Sequence, residues 1–304
     1  MKFDGSNIVL NGSDPYENYI YLDGEGEFEL LELEPGKKNK GASSNIFILK
    51  DPSDEVIDQV IKICKTPLSH TKPKSKKKIK RFRREIKAFE LVQRKRINGV
   101  IEYFGSGETE IDGHRFLYII LEKADYDLAK FLSKNNFDFT NGQRVNFCSN
   151  IVQNFEQLHK IGIYHRDIKH DNIFCVSGEF KIGDLGLVEF RDKDFSIDYN
   201  DEKIGPIGWL SPEATNKMLS NNSCNHSYDC KIDAKSDIFQ LGKLFWYIFQ
   251  GNLPIGNLTI TDSRFEDEEV YNILFSMLQH CKENRPSLEN IETNLKPIKT
   301  RMIV

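Results

Sequence analysis

The spacing of hydrophobic positions changes once along the chain, near residue 124. Before that point the apolar residues come in short runs of strand length. Phe28, Leu30, Leu31 and Leu33 predict one strand, which runs into a Pro-Gly-Lys turn at Pro35 to Gly41. Ile46 to Leu49 predicts a second strand, and Asp51-Pro52-Ser53-Asp54 a turn after it. Val56-Ile57 with Val60 to Ile63 predicts a third. Two more follow, at Val100 to Phe104 and at Phe116 to Leu121, the latter apolar enough for a central position. Between them, His70 to Lys80 has almost no hydrophobes and reads as a mobile connection, after which Phe82, Ile86, Phe89 and Leu91 take helical spacing. Residues 1–25, rich in Gly, Asn, Asp and Ser, read as an extension with one loose hairpin.

After Glu122 helical spacing dominates. Asp127 to Leu132 and Gln143 to His159 are helical by period, the latter with Phe147, Ile151, Phe155 and Leu158 on one face. A strand-rich block covers 163–183, an acidic loop 190–203, and two apolar helices follow at Asp237 to Gln250 and Glu269 to Cys281. The pattern predicts an α+β chain: an antiparallel part at 26–124 with one main helix, and a larger, mostly α-helical part at 125–304. Two such parts joined by a hinge would enclose a cleft, a common place for a ligand. No internal repeat is present.

Composition adds little. Of 304 residues, 39% are hydrophobic and 29% charged, with a net charge of −4, a globular balance unlike that of a protein that coats nucleic acid. Six cysteines without a Cys-x-x-Cys pair read as reduced thiols. The first residues lack a basic stretch followed by an apolar one, so no signal peptide is expected, and no apolar run nears the ~20 residues that span a bilayer. These features lead to the expectation of a cytoplasmic protein with neither nucleic acid nor membrane as partner, and a monomer is expected.

The chemistry sits in the second part. In Tyr164-His165-Arg166-Asp167-Ile168-Lys169-His170-Asp171-Asn172, a carboxylate at Asp167 can orient a hydroxyl and take its proton, while the amide oxygen of Asn172 can meet a metal on phosphates. Lys169 puts positive charge where a phosphate would pass. Further on, Asp184-Leu185-Gly186 places a carboxylate at a strand end, where Asp184 suits Mg2+ with its preference for hard oxygen ligands. Ser211-Pro212-Glu213 follows, and Asn284-Arg285-Pro286-Ser287 stands further on. Ser236-Asp237-Ile238-Phe239-Gln240-Leu241-Gly242 opens an apolar helix.

Together these segments resemble the protein kinase family over about residues 27–296, with Leu185 where an aromatic is usual and Ser211 where an alanine is usual. The resemblance implies a bilobal kinase fold, ATP and Mg2+ as cofactors, a protein as substrate, and Mg2+ ligation by Asn172 and Asp184. It also implies that Glu213 forms a buried ion pair with Arg285 and that Asp237 holds the backbone of the loop carrying Asp167. It implies that Lys62, in Val60-Ile61-Lys62, contacts the α- and β-phosphates and pairs with Glu85 of the following helix. Leu121 becomes the gatekeeper, Glu122 to Ala124 the hinge that bonds adenine through its backbone, and Asp127 a ribose contact. Ile46, Val60 and Phe174 would enclose the adenine ring. The glycine-rich loop fits least: its three glycine positions fall on Asn39, Gly41 and Ser44, so only the middle one, Gly41, is kept.

Several questions stay open. Arg166 in this family usually meets a phosphate on the activation segment, and three residues before Gly205 stands Glu202, beside Asp201; these carboxylates are expected to replace the phosphate, with Ser196 and Tyr199 as alternative phosphorylation sites and a solvated acidic loop as the bland reading. Lys169 resembles serine/threonine kinases, whereas Pro206-Ile207-x-Trp209 resembles a tyrosine-kinase substrate loop; serine/threonine is favoured because Lys169 acts nearer the chemistry. A pseudokinase scaffold and a small-molecule kinase of the aminoglycoside or choline type are the rival readings. The basic run Lys72 to Arg84 reads as part of a flexible connection rather than a nucleic-acid site, and Cys224, His226 and Cys230 lack the spacing of a zinc site.

Overall fold

A computed structural model describes residues 1–12, 17–22, 24, 26–34, 43–51, 58–192, 198, 203–219, 228–256, 258–263 and 267–303. The chain forms two compact units, one of Met1–Arg94 and Ile101–Ala124, the other of Lys95–Val100 and Asp125–Val304.

The first unit contains β1 (Lys2–Phe3), β2 (Ile8–Val9), β3 (Tyr19–Leu22), β4 (Gly26–Glu32), β5 (Ser44–Lys50), β6 (Gln59–Cys64), helix α1 (Pro73–Arg94), β7 (Tyr103–Ile111) and β8 (His114–Glu122). Six strands make one antiparallel sheet in the order β3-β4-β5-β6-β8-β7. Its two edges approach each other: the Thr109 hydroxyl on β7 donates to the Tyr21 carbonyl on β3 at 3.2 Å. Alternation of side chains decides what each face carries. Phe47, Leu49, Ile61, Ile63, Phe116, Tyr118 and Ile120 turn to one side and form the core with Ile8, Ile20, Leu22 and Leu30. The strand at Phe116 to Leu121 is flanked on both sides, as its apolar run predicted.

Two expectations about this unit need correction. Residues 1–25 are not merely an extension: β3 is a strand of the main sheet, and Ile8, Ile20 and Leu22 are buried in its core. The β1–β2 hairpin is fastened to the core by Phe3 against Phe116 (ring centroids 5.2 Å apart) and by the Ile8 N–H donating to the Asn45 side chain at 3.1 Å. Low apolar density concealed this, because a few well-placed side chains suffice to cover the end of a small sheet. Nor is His70 to Lys80 a loose connection, since α1 begins at Pro73, where the fixed φ of proline suits a first helical turn. The buried stripe of α1 is Ile79, Phe82, Glu85, Ala88, Phe89 and Val92; Ile86 and Leu91 lie at its margin.

The second unit contains β9 (Tyr126–Asp127), α2 (Leu128–Lys134), α3 (Asn141–Lys160), β10 (Ile163–Tyr164), β11 (Ile173–Val176), β12 (Glu179–Ile182), β13 (Glu189–Phe190), α4 (Pro212–Leu219), α5 (Ala234–Gln250), α6 (Glu268–Met277) and α7 (Leu288–Ile303). It is mostly helical, with small antiparallel ladders β10–β13 and β12-β11-β9. Capping boxes start the two longest of its helices: Thr140 with Gln143 on α3, and Asp233 with Ser236 on α5. Gly142 lets α7 come close, since a Cβ there would stand 2.7 Å from the Met302 carbonyl. The unit thus uses residues beyond 296, where the sequence resemblance ends.

Candidate active site

In the first unit the site candidates follow from strand register. Ile46 pairs with Lys62, Val60 with Leu121, and Lys62 with Ile119. Directly opposed residues share a face, so Ile46, Val60, Lys62 and Leu121 all lie on the face away from the core cluster. Glu85 lies in the buried stripe of α1 and meets Lys62: Nζ to Oε1 is 2.6 Å, with both side chains more than nine-tenths buried. A charge pair this far from water persists because each partner compensates the other. The backbone of the predicted hinge is engaged at two points, the Glu122 N–H with the Glu102 carbonyl at 2.9 Å and the Lys123 N–H with the Asp58 carbonyl at 2.6 Å. Ala124 is the last residue of this unit. Gly41, Asn39, Asp201, Glu202, Ser196 and Tyr199 lie outside the described residues, as do Cys224 and His226.

In the second unit a loop is pinned from below and from the side. Asp237, in the first turn of α5 and fully buried, accepts the backbone N–H groups of His165 at 2.7 Å and Arg166 at 2.8 Å, and the His159 ring at 2.9 Å. Burial pushes its pKa up, but these hydrogen bonds and the nearby histidines outweigh burial and hold it below the ordinary carboxylate value. One helical turn on, the Gln240 side chain accepts the Ile168 N–H at 3.1 Å. The sequence reading assigned Asp237 this role and missed Gln240; a buried glutamine three residues after the aspartate, on the same helical face, was the available signal.

The pinned loop carries Asp167 and Asn172. The Asn172 amide donates to the Asp167 carbonyl at 2.7 Å and to its carboxylate at 2.9 Å. The Gly183 N–H donates to the Asn172 carbonyl at 2.9 Å, and His165 Nε2 bonds the Gly183 carbonyl at 3.0 Å. Nδ1 of the same ring lies 3.3 Å from the Asp167 N–H, so His165 is held at both ring nitrogens. These bonds tie the Asp167 loop to the residue just before Asp184, which itself sits in the left-handed region at φ 52°. Asp167 feels the result: burial raises its pKa, the Lys169 charge opposes this, and the Asp184 carboxylate adds to it. Lys169 Nζ lies 3.9 Å from Asp171. Phe174 is half-buried on β11, directly opposite Asp127 on β9. Asp127 also caps α2, accepting the Lys130 N–H at 2.7 Å, and burial raises its pKa.

Two ion pairs complete the arrangement. Glu213 on α4 meets Arg285 at 2.6 Å, both side chains almost wholly buried, as expected from sequence. Arg285 also donates to the carbonyls of Gln279, Lys235 and His280. Arg166 has partners that the sequence reading did not name, while the expected Asp201 and Glu202 lie outside the described residues. Its guanidinium contacts Glu189 and Asp198, each at 2.5 Å, so among the described residues the carboxylates that meet Arg166 are these two. Counting back from Gly205 missed them because Glu189 and Asp198 reach Arg166 from earlier in the segment.

Oxygen donors from an amide and a carboxylate suit a hard divalent cation whose other ligands are phosphates and water. Among the described residues no cluster of three His, Cys, Asp or Glu could hold a metal by itself. A cavity of about 480 Å3 in the second unit, lined by Phe137, Phe139, Asn141, Arg144, Phe249, Gln250 and Gly251, includes none of the predicted site residues.

The protein kinase domain family model matches residues 40–303. The chain belongs to the protein kinase domain family. The chain is 23% identical over 252 residues to the dual specificity protein kinase TTK of Mus musculus, covering 83% of this chain and 27% of that one. It is 24% identical over 259 residues to the serine/threonine-protein kinase MPS1 of Saccharomyces cerevisiae, covering 83% of this chain and 30% of that one. A stretch of 147 residues is 31% identical to cyclin-dependent kinase 12 of Caenorhabditis elegans, 47% of this chain and 19% of that one. The kinase-domain chain described here thus spans under a third of the length of these curated relatives. The family is one of enzymes, and the antiparallel first unit and mostly helical second unit fit its fold. No helix among the described residues is long and apolar enough to cross a membrane.

Proposed function

We propose that this protein kinase transfers the γ-phosphate of ATP to serine or threonine hydroxyls of protein substrates. The observation that carries the reading is the hydrogen-bonded union of the Asp167–Asn172 loop with the Gly183–Asp184 turn. That union keeps a base candidate and both metal-ligand candidates in one small region. Asp167 orients the incoming hydroxyl and takes its proton; its raised pKa brings its basicity nearer that task than an ordinary carboxylate's. Lys169 offsets the charge of the transferred group. Lys62, held by Glu85, contacts the α- and β-phosphates. Ile46, Val60, Leu121 and Phe174 border the adenine, the backbone of Glu122 and Ala124 bonds its edge, Gly41 lets the loop approach the phosphates, and Asp127 reaches the ribose. Asn172 and Asp184 would hold Mg2+, which neutralises phosphate charge when bound. The proposed setting is a cytoplasmic monomer.

Incubation with labelled ATP, Mg2+ and a generic protein substrate, followed by phosphoamino-acid analysis, tests the reading. Labelled serine or threonine is expected, with a loss of at least about a hundredfold in Asp167→Asn. Equal labelling by parent and variant would leave a scaffold instead. A second reading, dual specificity, has one observation in its favour: Pro206-Ile207-x-Trp209 with Ile207 76% exposed. Labelled tyrosine alongside serine and threonine would establish it.

A further inference from the structure

Helix α1 carries ten lysines and arginines against only two acidic residues, Glu85 and Glu90, in a chain of net charge −4. Glu85 is buried on Lys62 and does nothing for the outer surface. Lys72, the residue before α1, and Lys76, Lys80, Arg83 and Lys87 on it are exposed, and their spacing of three to four residues aligns them along one side of the helix. At 1.5 Å per residue that stripe is about 22 Å long. The sequence-based reading of this run as a flexible connection would have let these charges separate; the helix holds them in line.

The arrangement opposes the fold's own electrostatics. The first turn of α1 has no acidic residue, and Lys72, Lys74, Lys76, Lys77 and Lys78 crowd the helix end where backbone dipoles already favour negative charge. Lys78 also repels Lys65, whose pKa is lowered first by burial and then by that neighbour. A bound anion relieves both costs.

We propose that the outer face of α1 is a docking surface for an acidic segment of a partner protein, one rich in carboxylate side chains. Nucleic acid is the poorer fit for two reasons. Single strands need exposed aromatic rings on which bases stack, and the two aromatics of α1, Phe82 and Phe89, are buried. The positive face is also one helix wide, while Glu27, Glu32, Glu102, Glu110 and Asp112 are exposed elsewhere on the same unit and would repel a larger polyanion. This inference stands on α1 alone and is independent of which hydroxyl the kinase phosphorylates.

The test is fluorescence anisotropy of the whole chain with a labelled oligoglutamate of about eight residues, enough in extended form to span the stripe. An oligoglutamine and an oligothymidylate of equal length are the comparators. The oligoglutamate is expected to bind more tightly than both, to weaken as salt is raised past the range where the Debye length is about 10 Å, and to lose at least about tenfold in affinity when Lys76, Lys80, Arg83 and Lys87 are all changed to glutamate. Lys80→Gln with Arg83→Gln serves as a milder pair, expected to bind a few-fold more weakly with an unchanged melting temperature. Equal affinity of parent and both variants, or tighter binding of oligoglutamine or oligothymidylate, overturns the proposal.

Discussion

Arg166 and Asp198 form an ion pair at 2.5 Å with side chains only 1% and 2% exposed. Arg166 adopts φ 64°, a conformation that costs a non-glycine residue on the order of 1 kcal/mol. Its side chain recovers stability from Asp198, Glu189 and the carbonyls of Leu187 and Val188. The position where a phosphate would be expected to engage this arginine is therefore served by carboxylates. Kinase activity is expected to survive phosphatase treatment, and Asp198→Asn is expected to lower stability by about 1.5–3 kcal/mol together with activity. A phosphatase-treated enzyme that no longer labels its substrate would show that the carboxylates are insufficient.

Asp237 makes a prediction about acid. Its folded pKa is below its ordinary value, so its contribution to stability is complete above the ordinary carboxylate pKa and disappears as pH falls through the folded one. Asp237→Asn turns an N–H2 toward backbone N–H donors and is expected to cost roughly 3–5 kcal/mol at neutral pH. The gap between parent and variant should narrow at a pH below the ordinary carboxylate value of about 3.9. Denaturant unfolding at both pH values measures it; a gap independent of pH would mean that the carboxylate charge is not what holds the loop.

How much of this was legible beforehand depended on whether chemistry or packing wrote the signal. Asp167, Asn172, Asp184, Asp237 and the Glu213–Arg285 pair announced themselves because their residue types and spacings are demanded together and seldom co-occur. Lys62 and Glu85 were readable only once those segments had fixed a family, since a strand lysine and a helix glutamate are common. Asp198 was missed because nothing in an acidic loop says which carboxylate turns inward. The start of α1 was missed because seven of the residues from Lys72 to Arg81 are basic, which hides a helix whose buried positions in that stretch come down to Ile79. Residues 1–22 were undervalued for a similar reason: few hydrophobes, each in a decisive place.

Leu22 tests that last point. It is fully buried in the core of the first unit, whereas its neighbour Tyr21 is 65% exposed. Leu22→Ala should destabilise the protein by about 2–5 kcal/mol, and Tyr21→Ala by less than about 0.5 kcal/mol. Thermal melting of the two variants is the measurement. Equal, small shifts would return residues 1–25 to the status of an appendage.

The Lys62–Glu85 pair separates stability from chemistry. Lys62→Met leaves the Glu85 carboxylate buried without its partner, so a loss of about 3–5 kcal/mol in stability is expected along with at least a roughly hundredfold loss of kcat/KM. Adding Glu85→Leu removes the stranded charge. The double variant should regain most of the melting temperature, because two apolar side chains of similar volume can replace a buried ion pair at little cost. It should regain no activity, because the ammonium assigned to the phosphates is still missing. Stability and activity recovering together in the double variant would make Lys62 a structural residue alone and remove it from the phosphate site.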